Sequence, residues 1–144
     1  MVASILFLAP AMSLLEIELE KWICLDGLHL NVSIGIHDFE RAGPQPYSLE
    51  IALQLQNDYH TLRDEIAETV DYDKLRNNVI AHLASKHFNL QETLVQDVIS
   101  LCFALDDRVI KVDIHTAKTS VYADCNAVGL HYIVERHQWP VATQ

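Results

Sequence analysis

Apolar residues in this chain recur at every second position up to residue 55, at helical spacing from 72 to 105, and at every second position again from 110. A period of two alternates side chains between the faces of a strand, and a period near 3.6 gathers them on one face of a helix. The chain therefore reads as β-β-α-α-β-β. Strands paired at both ends with helices between them predict an α+β domain, an antiparallel four-stranded sheet with two helices on one face.

The second strand is the most regular. Tyr47, Leu49, Ile51, Leu53 and Leu55 point one way, and Ser48, Glu50, Gln54 and Gln56 the other. One covered face gives this pattern. In the first strand, Ile17, Leu19, Ile23 and Leu25 alternate with Glu18, Glu20, Trp22 and Cys24 as far as Asp26-Gly27. There the phase flips to Leu28, Leu30, Val32, Ile34 and Ile36, which predicts a bulge or tight turn at the glycine. Residues 37–46, with Gly43, Pro44 and Pro46, are expected as a loop. Asp71 is a candidate N-cap for a helix that buries Tyr72, Leu75, Val79 and Leu83. A second helix is expected from Asn89, with Leu94, Val98, Leu101 and Leu105 as its stripe and Asn89 and Glu92 as a capping-box-like pair. Ile110, Val112 and Ile114 mark a third strand, and residues 128–136 a fourth, beyond an irregular stretch at 119–126. Such a sheet has two edges, which proteins cover or share, so association through sheet edges is expected.

Composition narrows the partners. The chain has 144 residues, enough for one domain and one core, taken as 16–144 behind an N-terminal extension, 1–15. Residues 2–12 are apolar, but they lack a positive leading region and are too short to span a bilayer. They are read as an extension, with Met12 as an alternative initiator. Lys plus Arg is 10 against 20 Asp plus Glu, a formal charge of -10. That argues against nucleic acid, which needs a basic footprint, and against an anionic membrane surface. Cys24, Cys102 and Cys125 are far apart and form no CxxC pair, so buried free thiols in a reducing, cytoplasmic setting are expected. The eight histidines form no HExxH and no cluster at zinc spacing, and no metal is expected.

Four groups could carry chemistry. Lys118 shares the parity of Ile110, Val112, Ile114 and Thr116, so it points to the covered face at a strand end. Burial there would depress an amine's pKa toward neutrality and suit it to proton transfer; the alternative is a lysine that snorkels out to water. Glu40 falls in the expected loop, either as a functional carboxylate or as a solvated one. Glu92, in a first helical turn, could cap the helix or accept two parallel hydrogen bonds from an amidine-like edge. Tyr72 starts an apolar stripe and is expected in the core, its hydroxyl needing a partner if buried. His37 and Asp38 have no nucleophile beside them and are read as structural.

Taken in order, Ile34-Gly-Ile-His-Asp-Phe-Glu40 with Gln45, Thr69-Val-Asp-Tyr72, Phe88-Asn-Leu-Gln-Glu-Thr-Leu94, and Lys118 followed by Val128-Gly129 resemble the dihydroneopterin aldolase family and its epimerase relatives. The resemblance runs from about Leu19 to Arg136. It implies the tunnelling fold, in which subunits join edge to edge into a homo-tetrameric ring and two rings commonly stack into an octamer. It implies a pterin substrate bound between neighbouring subunits, with no cofactor and no metal. Glu92, flanked by Leu90 and Gln91, would hold the amino-pyrimidine edge. Val70 and Tyr72 would reach in from the neighbour. Glu40 would lie near the polyol side chain, and Lys118 would be the main acid/base residue, with Tyr72 and Glu40 beside it. The implied reaction is retro-aldol cleavage of dihydroneopterin to 6-hydroxymethyl-dihydropterin and glycolaldehyde in folate biosynthesis, with side-chain epimerisation possible. The alternatives are a dedicated epimerase of dihydroneopterin or its triphosphate, and a non-catalytic pterin-binding ring protein. Thr119 stands where the family usually has proline, and Tyr122-Ala-Asp124 resembles the epimerase branch.

Overall fold

The computed structural model describes residues 13–57 and 60–140; the apolar stretch 2–12 lies outside the described residues. Four strands, β1 (Lys21–Val32), β2 (Gln45–Leu55), β3 (Val109–Lys118) and β4 (His131–Glu135), form one sheet in the order β1-β2-β3-β4. Every neighbouring pair is antiparallel. Two long helices, α2 (Tyr72–Ala84) and α3 (Gln91–Leu105), follow β2, and a single-turn helix α1 (Asp38–Arg41) sits between β1 and β2. The expected order therefore holds for the main elements. No helix among the described residues is long and apolar enough to cross a membrane.

Alternation in β2 fixes the core: Tyr47, Leu49, Ile51, Leu53 and Leu55 are all buried. Val112 and Ile114 of β3 join them, as do Leu75, Val79 and Leu83 of α2 and Leu94, Val95, Val98, Ile99, Cys102 and Phe103 of α3. The α3 stripe is rotated from its expected setting, since Leu101 and Leu105 are only half-buried. The predicted irregularity in β1 is a register shift between Leu25 and Leu28, with Gly27 at φ +65°. Asp71 caps α2, its carboxylate accepting from the amides of Asp73 and Lys74.

Several expectations fail for physical reasons. Strand β1 begins at Lys21 rather than Ile17, because its ladder starts opposite Leu55, the last residue of β2, and a capped 3₁₀ turn occupies Leu14–Glu16. The expected loop 37–46 contains α1 and the start of β2. Only residues 131–135 of the expected fourth strand are regular; Val128 makes an isolated bridge to Lys118. No capping box opens α3: Leu90 is the N-cap, and the Asn89 carboxamide accepts from Arg41 instead (2.8 Å). Tyr72 is exposed rather than core: the buried stripe of α2 starts one turn later, at Leu75. Only Cys102 is a buried thiol; Cys24 and Cys125 are exposed. The bare face of the sheet also gathers Asp113, His115 and His131, whose ligand atoms lie within 4.8 Å of one another, a clustering that linear spacing concealed.

Candidate active site

Beyond β1 the chain turns a corner that is pinned on both sides. Phe88 donates its amide to Ser33 O and accepts from the Gly35 amide, both at 2.9 Å. The His87 ring sits between the Ser33 hydroxyl (2.6 Å, Nδ1) and the Gly35 carbonyl (2.8 Å, Nε2). A carbonyl only accepts, so Nε2 carries the proton, and in the neutral ring Ser33 donates to Nδ1. Gln45 donates to the carbonyls of Ile34 (2.7 Å) and Glu40 (3.2 Å), tying β2 to the same corner. Gly35 has φ +127°, and a Cβ there would collide with the Glu40 carboxylate. Only glycine leaves room for that carboxylate to turn inward.

Glu40 is thus neither in a loop nor solvated. It is buried on α1, and its two oxygens accept from Lys118 Nζ and from the His37 amide (3.1 Å). The hydrogen bond from Lys118 outweighs the opposing desolvation and holds the Glu40 carboxyl below its ordinary range. Lys118 ends β3 on the covered face, as parity requires, and is 6 % exposed. Its backbone exchanges two hydrogen bonds with Val128 (2.9 and 3.0 Å). Gly129 allows this close return, because a Cβ there would strike the Thr116 carbonyl.

Opposite the pair stands the first turn of α3. Gln91 is committed to structure: its carboxamide oxygen accepts from Tyr47 (3.1 Å) and Thr116 (3.3 Å), and its NH₂ donates to Val128 O (3.3 Å). Burial pushes the Tyr47 phenol up to about 12, so it acts there as a fixed donor rather than a proton carrier. Glu92 neither caps the helix nor pairs with any described residue, and its exposed carboxylate borders the same space.

These segments enclose a cleft of about 410 Å³, in the ordinary range for a small-molecule pocket. Glu40, Leu90, Gln91, Glu92 and Lys118 line it, as do Gly35, Phe39 and Tyr122. Among the described residues, Lys118 is the sole lysine or arginine on its wall. Two expected site residues are elsewhere in the chain. Val70 is fully buried in the core, and Tyr72 is 58 % exposed and does not line the cleft. Gly35, Tyr47, Thr116 and Tyr122 were not singled out from sequence as site residues. Gly35 was signalled by its place before Glu40, but no sequence pattern reveals that Tyr47 and Thr116 meet Gln91. The mouth is apolar, with Ile36, Phe39, Leu90 and Tyr122 all more than half exposed.

A family model described as FolB, dihydroneopterin aldolase, matches residues 23–132. Among solved structures, a dihydroneopterin aldolase from Burkholderia thailendensis bound to guanine is 30% identical, with a TM-score of 0.68 over 81% of this chain and 92% of that one. An E. coli dihydroneopterin aldolase in complex with neopterin shares the fold at 24% identity, with a TM-score of 0.72 over 81% of this chain and 98% of that one. No curated protein matches the chain.

Proposed function

The chain belongs to the dihydroneopterin aldolase family, and we propose that it cleaves dihydroneopterin to 6-hydroxymethyl-dihydropterin and glycolaldehyde, as a carbon–carbon lyase of folate biosynthesis. The observation that carries this reading is the buried Lys118–Glu40 pair on the wall of a cleft whose other side presents the unpartnered Glu92 carboxylate. Glu92 accepts from the amino group and ring N–H of the pterin's amidine edge, two parallel charge-assisted bonds. The side chain of the substrate then extends toward Lys118 and Glu40.

The chemistry asks little beyond proton transfer. A dihydropterin carries an imine conjugated to its side chain. Removing the proton of the second side-chain hydroxyl lets the adjacent carbon–carbon bond break, and its electrons move into that imine. Glycolaldehyde leaves, and protonation of the resulting enamine gives the hydroxymethyl product. The substrate supplies its own electron sink, so the protein needs to position it and to move protons. Lys118 does so through a water, and Glu40 fixes the lysine's position.

The cleft within one chain is half a site. A second copy would cover the apolar mouth and bring Tyr72 and the backbone at Val70 to the pterin, in a tetrameric or octameric ring. The exposed thiols of Cys24 and Cys125 suit a cytoplasmic setting. Among the described residues the cleft wall offers a triphosphate only Lys118, which Glu40 engages; Arg41, outside the wall, is engaged by Asn89. That favours dihydroneopterin itself.

The test is incubation with dihydroneopterin in the presence of a chelator, following both products by chromatography. Stoichiometric hydroxymethyl-dihydropterin and glycolaldehyde are expected. Epimer without cleavage, or tight pterin binding without turnover, would overturn the aldolase reading.

A further inference from the structure

The face of the sheet that carries no helices holds a second set of functional groups, on the side of β3 opposite to that of Lys118. His115 of β3 and His131 of β4 are direct cross-strand partners. Their rings stack with centroids 3.5 Å apart and planes 21° from parallel. Asp113 lies two residues before His115 on β3, hence on the same face, and diagonal to His131. Its Oδ1 is 2.8 Å from His131 Nε2 and 3.6 Å from His115 Nε2. Two imidazole nitrogens and one carboxylate oxygen therefore lie within 4.8 Å of one another, with the side chains about one-third to one-half exposed.

We propose that Asp113, His115 and His131 form a binding site for a divalent transition-metal ion, best suited to Zn²⁺. Imidazole nitrogen and carboxylate oxygen bind zinc at about 2.0–2.2 Å, and tetrahedral angles then separate the donors by roughly 3.3–3.5 Å. The His115–Asp113 separation is close to this, the His131–Asp113 separation has to open by about half an ångström, and the two rings have to turn out of their stack so that both nitrogens face the ion, χ rotations open to exposed side chains. The open side leaves the fourth position to water. Hard-cation binders such as Ca²⁺ and Mg²⁺ sites use oxygen donors, so two imidazoles select against them. The chain's charge of -10 raises the local concentration of any cation.

The site would act as a staple. β4 is the shortest strand and an edge, and His131 is its first residue. An ion shared by two β3 residues and one β4 residue would fix β4 on the sheet. In the metal-free chain the same three residues form an Asp113–His131 hydrogen bond with a stacked partner, a cross-strand pair and nothing more. The experiment separates these states.

The full chain, stripped with chelator, is titrated with Zn²⁺ against a chromophoric indicator, and thermal unfolding is followed with and without Zn²⁺. One Zn²⁺ per chain is expected, with a rise in Tm that reflects preferential binding to the folded state. His115→Ala, His131→Ala and Asp113→Asn should each weaken binding by about tenfold or more and abolish the Tm rise. Their circular dichroism should match the wild type, because all three side chains are partly exposed. His137→Ala, a histidine outside the cluster, should change neither readout. Replacing Zn²⁺ with Co²⁺ should give visible d–d bands that vanish in His115→Ala. A stoichiometry below one, or an affinity unchanged in the His115→Ala/His131→Ala double variant, would overturn the site. Should a variant fail to fold, the Co²⁺ spectrum of the wild type decides: absence of bands overturns the site.

Discussion

Lys118, at the end of β3, donates its ammonium to the carboxylate of Glu40 on α1, and both side chains are less than one-tenth exposed. A buried ion pair is poor evidence of stability in itself, because desolvation cancels much of the attraction. Its value here is placement. The pair holds an amine at a fixed point on the wall of a cleft.

Removing that amine should cost turnover more than binding. Lys118→Ala should retain pterin affinity within a few fold and lose at least about a hundredfold in kcat, the scale of a lost general acid/base. Single-turnover kinetics with dihydroneopterin checks this at a temperature where the variant is folded. An unchanged rate would remove Lys118 from the chemistry.

Glu92 should behave in the opposite way. Two hydrogen bonds to a charged acceptor are worth a few kcal/mol together, so Glu92→Ala should weaken the binding of a pterin or guanine analogue on the order of a hundredfold. Helix content should not change, since Glu92 caps nothing. Fluorescence titration reads the affinity, and a wild-type constant would dismiss Glu92 as the anchor.

Gly35→Ala should damage the site through Glu40. The backbone at φ +127° is strained for any side chain, and the new methyl group occupies the carboxylate's position. A loss of about 1–3 kcal/mol in unfolding free energy is expected, with activity falling further than stability alone explains. Denaturant titration beside an activity assay measures both.

Acid should reveal the pair as well. The Glu40 carboxyl titrates below its ordinary 4.5 in the folded protein. The stability this contributes is fully present above that value and is lost as pH falls through the lower folded-state value. In Glu40→Gln nothing titrates at this position. The Tm difference between wild type and variant should be constant above about pH 5 and should narrow steadily toward about pH 3. A gap that stays constant to pH 3 would contradict the pairing.

The proposed sharing of sites between subunits predicts complementation. Tyr72→Ala and Lys118→Ala homo-oligomers should each be nearly inactive, but co-refolded mixtures should regain activity, since some interfaces then combine an intact Tyr72 with an intact Lys118. No recovery would place Tyr72 outside the site.

The sheet and its helices were legible because they rest on periodicity, which burial imposes directly. Alternation in β2 marks the covered face, and parity from Ile114 through Thr116 to Lys118 places the lysine on it. What periodicity could not reach was the partner. Glu40 looked like a loop carboxylate because its burial depends on Gly35 lacking a side chain and on a strand 78 residues away. Glu92 and Asn89 matched a capping pattern, yet Asn89 turned to Arg41, a contact that no local rule anticipates. The Asp113–His115–His131 cluster escaped for the same reason, since strand pairing rather than spacing brings its members together.

The sheet order carries a consequence for how activity returns after denaturation. β1–β2 and β3–β4 are each neighbours in sequence, whereas β2 joins β3 only after both long helices have been traversed. Contacts across such separations are costly to close and form late. The Glu40–Lys118 contact spans that same junction. In a refolding time course, helical ellipticity should therefore recover first, and catalysis should appear only in the final phase, when the two halves of the sheet meet.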